Sequence, residues 1–355
     1  MTSRDTVIVT APVQEIARAY AIAAEREVSL SELTIEAWRT IPRARANLRD
    51  PDLWGDMTRP RTEARRPDKR TIGTKRLFSE IFNGIHLDEM GHLSDYEVGV
   101  AEHTARKILW GQFSRFLTVK YTLRVLASLL GNGPVNLLQW QDAVREHAFT
   151  MREHLRAKDV RHKIPRGAQL SAGFPKGSSK KSEKSMQRFL GHYTASIQGS
   201  GSGPVVGMCA ELGLIQVLLP SKEVKLTEAG RDFVLEENPQ LDFDFEEGDG
   251  DIDMETVPLD SGEQQLLLKH IKSNLLEDWA FCTKILDCIS EGWNDPRTLD
   301  AAMAEAYPKI GANTLRTNTG GALGRLGDLG LISRSWTGRH VHYSVTVVGK
   351  MEAAA

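Results

Sequence analysis

The strings in this sequence that could carry covalent or metal chemistry are few, and each departs from what its chemistry needs. Gly173-Phe-Pro-Lys-Gly177-Ser-Ser-Lys-Lys-Ser has the composition of a phosphate cradle. A phosphate loop needs four residues between its glycines and then Gly-Lys-Ser/Thr, and this string has neither. Gly199, Gly201 and Gly203 lack the third-glycine spacing and the preceding strand of a dinucleotide site. Cys282 and Cys288 have no partner cysteine pair and no ligand-spaced histidines, so they read as core thiols rather than zinc ligands. His86 with His92, and His340 with His342, do not complete a metal set. Asp52 followed by Glu63-Ala64-Arg65 imitates an acid, then acid-x-Lys arrangement that can hold magnesium. That chemistry wants the second acid on a buried strand, and this segment is polar and broken by proline. No Ser-His-Asp set can be assembled. The residues therefore predict binding rather than catalysis, with no catalytic residue, cofactor or metal.

Cations are the more promising chemistry. Residues 152–188 hold eleven Lys/Arg against three acids, and Lys176, Lys180, Lys181 and Lys184 fall in its Gly/Ser-rich part. A net charge of about +8 suits phosphate contact, since each neutralised phosphate releases counterions. The same composition also describes an ordinary solvated basic loop. Residues 42–76 form a second basic tract, punctuated by Pro42, Pro51, Pro60 and Pro67, with Trp38 and Trp54 nearby for stacking. Against these stands an acidic run, 241–260, with nine carboxylates and no Lys or Arg. Like charges at that density repel, so the run reads as a weakly ordered linker, or else as a polyanion mimic for a basic groove.

The whole chain has 355 residues, 41% hydrophobic and 26% charged, with a formal net charge of −2. Without the acidic run the remainder sums to +7. Three scattered cysteines do not make a disulfide framework, and a reducing, cytoplasmic setting fits them best. No apolar run reaches the ~18 residues of a membrane span, and the first residues lack the order of a signal peptide.

The elements that must position these groups are mostly helices. Helix-like spacing covers residues 11–41, 77–130 and 137–158, with Gly131, Gly133 and Pro134 breaking the second stretch. Residues 161–185 read as a mobile basic loop. Strand pairs with short polar tips occur twice, at Leu214–Leu219 with Glu223–Leu226 and at Leu331–Ser335 with Val341–Val348.

An internal repeat ties these pieces together. Gly203–Ile215 reads GPVVGMCAELGLI and Gly320–Ile332 reads GGALGRLGDLGLI, six of thirteen positions being identical at a shift of 117. After a tip of variable length, Leu226-Thr227-x-x-Gly230 matches Val345-Thr346-x-x-Gly349 at a shift of 119. In the second copy Leu315, Ala322, Leu323, Leu326 and Leu329 mark one helix face, and Gly330 supplies the left-handed stop before the strand. Upstream, Ala280, Ile285, Leu286 and Ile289 make an amphipathic helix, and Leu299–Tyr307 a shorter one. The glycines at 320, 321, 324, 327 and 330 either permit close backbone approach or divide the third helix into two pieces.

The order helix, helix, helix, strand, wing, strand, with its "LGLI" step and "LTEAG" ending, resembles the winged helix-turn-helix family. The resemblance covers about residues 275–350 and, less completely, 118–232. It implies a DNA-binding fold whose third helix enters the major groove while the wing touches the backbone. On this chain it assigns DNA contact to Asn313, Thr314, Arg316, Thr317 and Arg325 of the third helix. The implied wing residues are Arg334, Trp336, Arg339 and His340. In the first copy Met208 replaces Arg325 and the tip Pro220-Ser221-Lys222 carries one cation, which implies packing more than readout.

The expected fold is mainly α with small β-hairpins: two winged-helix units following a helical N-terminal region. The expected divisions are a helical region with a basic arm at 1–115, unit one at 116–240, the acidic linker at 241–260 and unit two at 261–355. Such a tandem is loosely similar to DNA-recognition domains of some restriction enzymes. It implies a DNA-binding regulator or the recognition subunit of a defence, replication or segregation complex. Its expected partners are duplex DNA before single-stranded DNA, further protein subunits or a second copy, and no membrane. Two alternatives remain open, a protein-interaction scaffold and a divergent nuclease or other DNA-processing enzyme.

Overall fold

The structure is a computed structural model that describes residues 85–101, 107–176, 182–199, 203–242, 256–338 and 340–354. By internal contacts the chain divides into Met1–Arg66 and Pro67–Ala355, and every described residue lies in the second part. The expected helices at 11–41, the basic arm at 42–76 and the Asp52/Glu63 string lie outside the described residues. What is described is mainly helical with small antiparallel hairpins. No helix among the described residues is long and apolar enough to cross a membrane.

The first half begins with a 3-10 segment, Leu87–Asp95, and an extended stretch, 107–115. Then come α1 (Phe116–Leu130), β1 (Val135–Asn136) and α2 (Leu137–Arg161). Asn136 starts α2 with a capping box, its side chain accepting from the Gln139 N–H while Gln139 reaches back. After α3 (Ser182–Tyr193) a small ladder, β2 (Ser196–Ile197) with β3 (Val205–Val206), precedes a single turn of helix, α4 (Met208–Glu211). The hairpin β4 (Ile215–Leu218) and β5 (Glu223–Leu226) joins β1 in a three-stranded sheet of order β1-β5-β4, and α5 (Glu228–Leu235) closes the half.

The second half contains α6 (Ser261–Asn274), α7 (Leu276–Ser290), α8 (Pro296–Ala306) and α9 (Ala312–Asp328). The hairpin β6 (Ile332–Thr337) with β7 (His340–Val345) follows, then α10 (Val347–Ala354). Leu315, Ala322, Leu323, Leu326 and Leu329 are all buried, as are Ile285, Leu286 and Ile289 of α7. Ala280 is exposed, and Val347 and Val348 are helical rather than strand. Cys209, Cys282 and Cys288 are buried free thiols; burial pushes Cys209 and Cys282 up to about 12.

The repeat is legible atom by atom. Gly213 and Gly330 stop their helices at φ 68° and 69°. The Thr227 hydroxyl donates to the Gly213 carbonyl at 2.7 Å and accepts from the Gly230 N–H at 3.2 Å. Thr346 donates to Gly330 at 2.8 Å and accepts from Gly349 at 3.0 Å. Each threonine thus clasps the turn before the hairpin to the helix after it. The copies differ upstream: residues 320–328 are continuous helix, whereas 203–207 hold a strand and leave α4 only one turn.

The two halves meet on α9. Asn318, Gly321, Arg325 and Asp328 share one helical face, and residues 109–116 run across it. The Gly111 N–H donates to the Asn318 side chain at 3.0 Å. A methyl group at Gly321 would sit 2.4 Å from the Gly111 carbonyl oxygen, and one at Gly324 would sit 2.5 Å from that of Ser114. The glycines therefore serve close backbone approach, and α9 is one unbroken helix. Buried ion pairs complete the joint: Arg115–Asp328 and Arg325–Asp278 at 2.7 Å, and Lys120–Glu263 at 2.8 Å. Arg124 of α1 meets Asp242 at 2.8 Å.

Three expectations from the sequence change here. Helix-like spacing at 77–130 does not give helix at 107–115, because this stretch is spent covering α9. Of the loop expected at 161–185, residues 161–176 are anchored, with Leu170 and Phe174 buried and the Asp159 carboxylate accepting from the Leu170 and Ser171 N–H groups, while residues 177–181 lie outside the described residues. The acidic run is docked at both ends, through Asp242 on Arg124 and through buried Leu259 and the α6 cap Asp260. Residues 243–255 lie outside the described residues.

Two substitutions separate packing from propensity on α9. Gly320 has nothing within 4 Å of an added methyl group, so Gly320→Ala should stabilise by up to ~1 kcal/mol through helix propensity. Gly321→Ala should destabilise, because its methyl group meets backbone. Urea unfolding of the two variants measures the contrast, and equal signs would mean that the stretch 109–116 is not seated as described. Lys120→Met should cost about 3–5 kcal/mol by leaving Glu263 buried without its partner. Lys120→Met with Glu263→Gln should recover part of that loss, the Phe233 and Glu236 carbonyls still lacking their donor, and strictly additive effects would contradict the pairing.

Candidate nucleic-acid interface

Helix α9 follows Gly311, which offers no side-chain cap, so the first N–H groups of the helix keep their donor capacity. Asn313, Thr314 and Arg316 are exposed and Thr317 is half-buried, its hydroxyl donating to the Asn313 carbonyl at 2.8 Å. The Arg316 side chain is 70% exposed, and its Nε lies 3.0 Å from the Asp300 carboxylate of α8. Exposed pairs of this kind contribute about 0–1 kcal/mol, so Arg316 is readily exchanged onto another acceptor. Beyond residue 317 the helix turns inward, and only Gly320 is exposed between there and Asp328.

Arg325 is a correction. The resemblance placed it on the exposed face, yet it is 1% exposed. Its guanidinium donates to the Phe113 carbonyl at 2.8 Å and to the Asp278 carboxylate at 2.7 Å. Asp278 and the other groups around it hold the guanidinium charged despite the opposing effect of burial. A helix with an apolar face toward its own hairpin was expected to have an open opposite face. Here a stretch more than two hundred residues earlier covers that face too.

The hairpin behaves similarly. Trp336 and His340 are exposed, near the tip of β6 and at the start of β7. Arg334 is half-buried, donates to the carbonyls of Gly167 and Leu323, and lies 6.0 Å over the Tyr343 ring. Burial lowers its affinity for a proton, with the neighbouring Arg115 adding to the effect. It braces the hairpin against the first half and is not free for a wing contact. Arg339, Lys180 and Lys181 lie outside the described residues. Lys176 is exposed, its N–H donating to the Ser185 hydroxyl at 3.1 Å.

Lys184 does not join the α9 surface. It lines a groove of about 790 Å³ on the first half, together with Lys107, Trp110, Arg188 and His192. Trp110 meets His192 edge-on at 4.9 Å and Phe113 at 5.7 Å. Lys107 pairs with Glu211 at 2.9 Å. Sequence reasoning missed this groove. The one available signal was an isolated Trp110-Gly111 in a stretch otherwise taken for helix.

No family model, curated protein or solved structure matches this chain. The arrangement of its own residues therefore carries the functional argument.

Two arginines on one helix should behave oppositely in an unfolding experiment. Arg316→Ala should leave stability within about 0.5 kcal/mol, as for other exposed positions. Arg325→Ala should cost about 3–5 kcal/mol, because Asp278 is left buried and unpaired. Chemical denaturation of both variants checks this, and similar midpoints would place Arg325 at the surface after all.

Proposed function

We propose that this chain is a DNA-binding protein whose second half is a winged helix, with α9 as the helix that meets duplex DNA. The observation that carries the reading is the division of α9. Its C-terminal half is clamped by residues 109–116, while its first turns present Asn313, Thr314, Arg316 and Thr317 to solvent. Recognition helices of this type contact base edges through their N-terminal residues. Arg316 has the fork geometry for guanine O6 and N7, and Asn313 suits adenine N6 and N7. The uncapped N–H groups after Gly311 favour a phosphate at the helix start. Trp336 and His340 on the hairpin would then lie along the backbone. The Thr-x-x-Gly clasp shared by both halves supports reading the first half as a second winged-helix copy, one whose short α4 leaves little to insert into a groove. A regulator or the recognition subunit of a larger DNA complex would both use such a surface.

A second reading, an interaction scaffold, has one observation in its favour. On α10, Val347, Val348 and Met351 are exposed together. Sedimentation of the purified chain with and without Val347→Ser and Met351→Ser separates self-association through this face from DNA binding.

The test of the main reading is titration of a labelled duplex at several salt concentrations. Arg316→Ala should weaken binding, and most on a preferred sequence. Asp300→Asn should strengthen it several-fold, because it frees Arg316 and removes a carboxylate that repels phosphate. If neither change alters duplex binding, α9 does not read DNA.

A further inference from the structure

The groove on the first half has features that the α9 reading does not use. Along α3, Lys184, Arg188 and His192 stand at i, i+4 and i+8, one stripe of the helix facing the groove. Lys107 and Trp110, from the stretch that goes on to cover α9, line it as well. Phe113 and Gly207, both buried, also line it.

The charge here is uncompensated. Lys107 is matched by Glu211, but among the described residues neither Lys184 nor Arg188 has a carboxylate within ion-pair distance. Burial, and then Arg188, lower the proton affinity of His192. Trp110 is gripped edge-on by His192 and Phe113, yet 44% of it stays exposed. A large aromatic ring held in place beside two unmatched cations asks for a ligand with a flat π-face and an anionic group. A volume of about 790 Å³ lies within the usual range for small-molecule sites.

We propose that this groove binds a nucleotide, its base on Trp110 and its phosphate on Lys184 and Arg188. The nucleotide is either free or part of an unpaired nucleic-acid strand, since both present the same base and phosphate. The proposal does not depend on α9 reading duplex DNA, because no groove residue belongs to that helix.

The experiment uses the full chain and four probes: the mononucleotides AMP and UMP, a labelled mixed-sequence single-stranded 12-mer, and inorganic phosphate. Three variants are compared with the parent. Lys184→Gln with Arg188→Gln removes the exposed charge, and Trp110→Leu removes the stacking face. Gly191→Leu fills the groove from α3, where an added methyl group meets nothing within 4 Å. Circular dichroism confirms folding. Should Trp110→Leu fail to fold, the other two variants decide, because they replace exposed cations or project into open space.

Binding of the mononucleotides or the 12-mer, weakened at least tenfold by the double variant and by Gly191→Leu, supports the proposal. Mononucleotide binding identifies a free nucleotide as the ligand, and binding of the 12-mer alone identifies an unpaired strand. For the 12-mer, the double variant should also flatten the salt dependence by about 0.7 in slope, the value for the one phosphate held by Lys184 and Arg188. Duplex binding reports on α9 and mononucleotide binding on the groove, so failure of the α9 reading and failure of this one are distinguishable. The proposal is overturned if no nucleotide or strand binds at millimolar concentration. It is also overturned if Gly191→Leu binds as the parent does, or if inorganic phosphate binds as tightly as AMP and UMP.

Discussion

Two buried carboxylates on the second half, Asp278 and Asp328, hold the described molecule together. Asp328 accepts from Arg115 at 2.7 Å and from the Phe116 N–H at 2.8 Å, so it caps α1 from 212 residues away. Arg115 itself makes no side-chain cap for α1. The Asp328 carboxylate supplies the negative charge that a helix start favours. Asp278 accepts from Arg325 at 2.7 Å and from the Leu109 N–H at 2.9 Å, fixing the other end of the same stretch. Desolvation raises the proton affinity of Asp328, and Arg115 is the strongest influence opposing it. Burying such groups is tolerable only while every partner is in place. Residues 109–116 must therefore lie where they do, and with them the covered half of α9, the wall of the groove and the first turn of α1.

The sequence carried the local parts of this arrangement clearly. Both hairpins, α8 and the apolar face of α9 follow from periodicity and from glycine stops. The repeat found by a shift of 117 reappears as matched hydrogen bonds, with Leu331 N–H to Leu326 and Leu214 N–H to Cys209 in equivalent places. Long-range contacts were not legible. Arg325 looks solvent-facing on a helical projection because nothing local opposes it, and its partner Phe113 lies 212 residues earlier. For the same reason the glycines of α9 could be read two ways until the backbone crossing them was seen. Of the residues assigned to DNA, those on the first turns of α9 are open, while Arg325 and Arg334 brace the halves.

The two copies have diverged in one physically interpretable way. In the second, the segment before the glycine stop is a 17-residue helix. In the first, the equivalent stretch is divided by the β2–β3 ladder, and only four residues remain helical. Glu211 and Asp328 occupy equivalent positions and both pair with cations of the same stretch, through Lys107 and Arg115. The second half thus has a long helix open only at its first turns and the first half a recess, with a shared strip of backbone between them.

The Thr-x-x-Gly clasps make each half look like a self-contained module. The buried charges make dissection misleading. A fragment of residues 256–354 would lose Arg115 opposite Asp328 and Lys120 opposite Glu263, exposing an apolar and acidic flank never meant for water. A fragment ending at residue 242 would keep Arg124 with Asp242, and Lys120 with the carbonyls of Phe233 and Glu236, but would bury the Lys120 charge without its carboxylate. The two halves share a clasp, yet each buries charge that only the other can answer: alike in local form, indivisible in energetics.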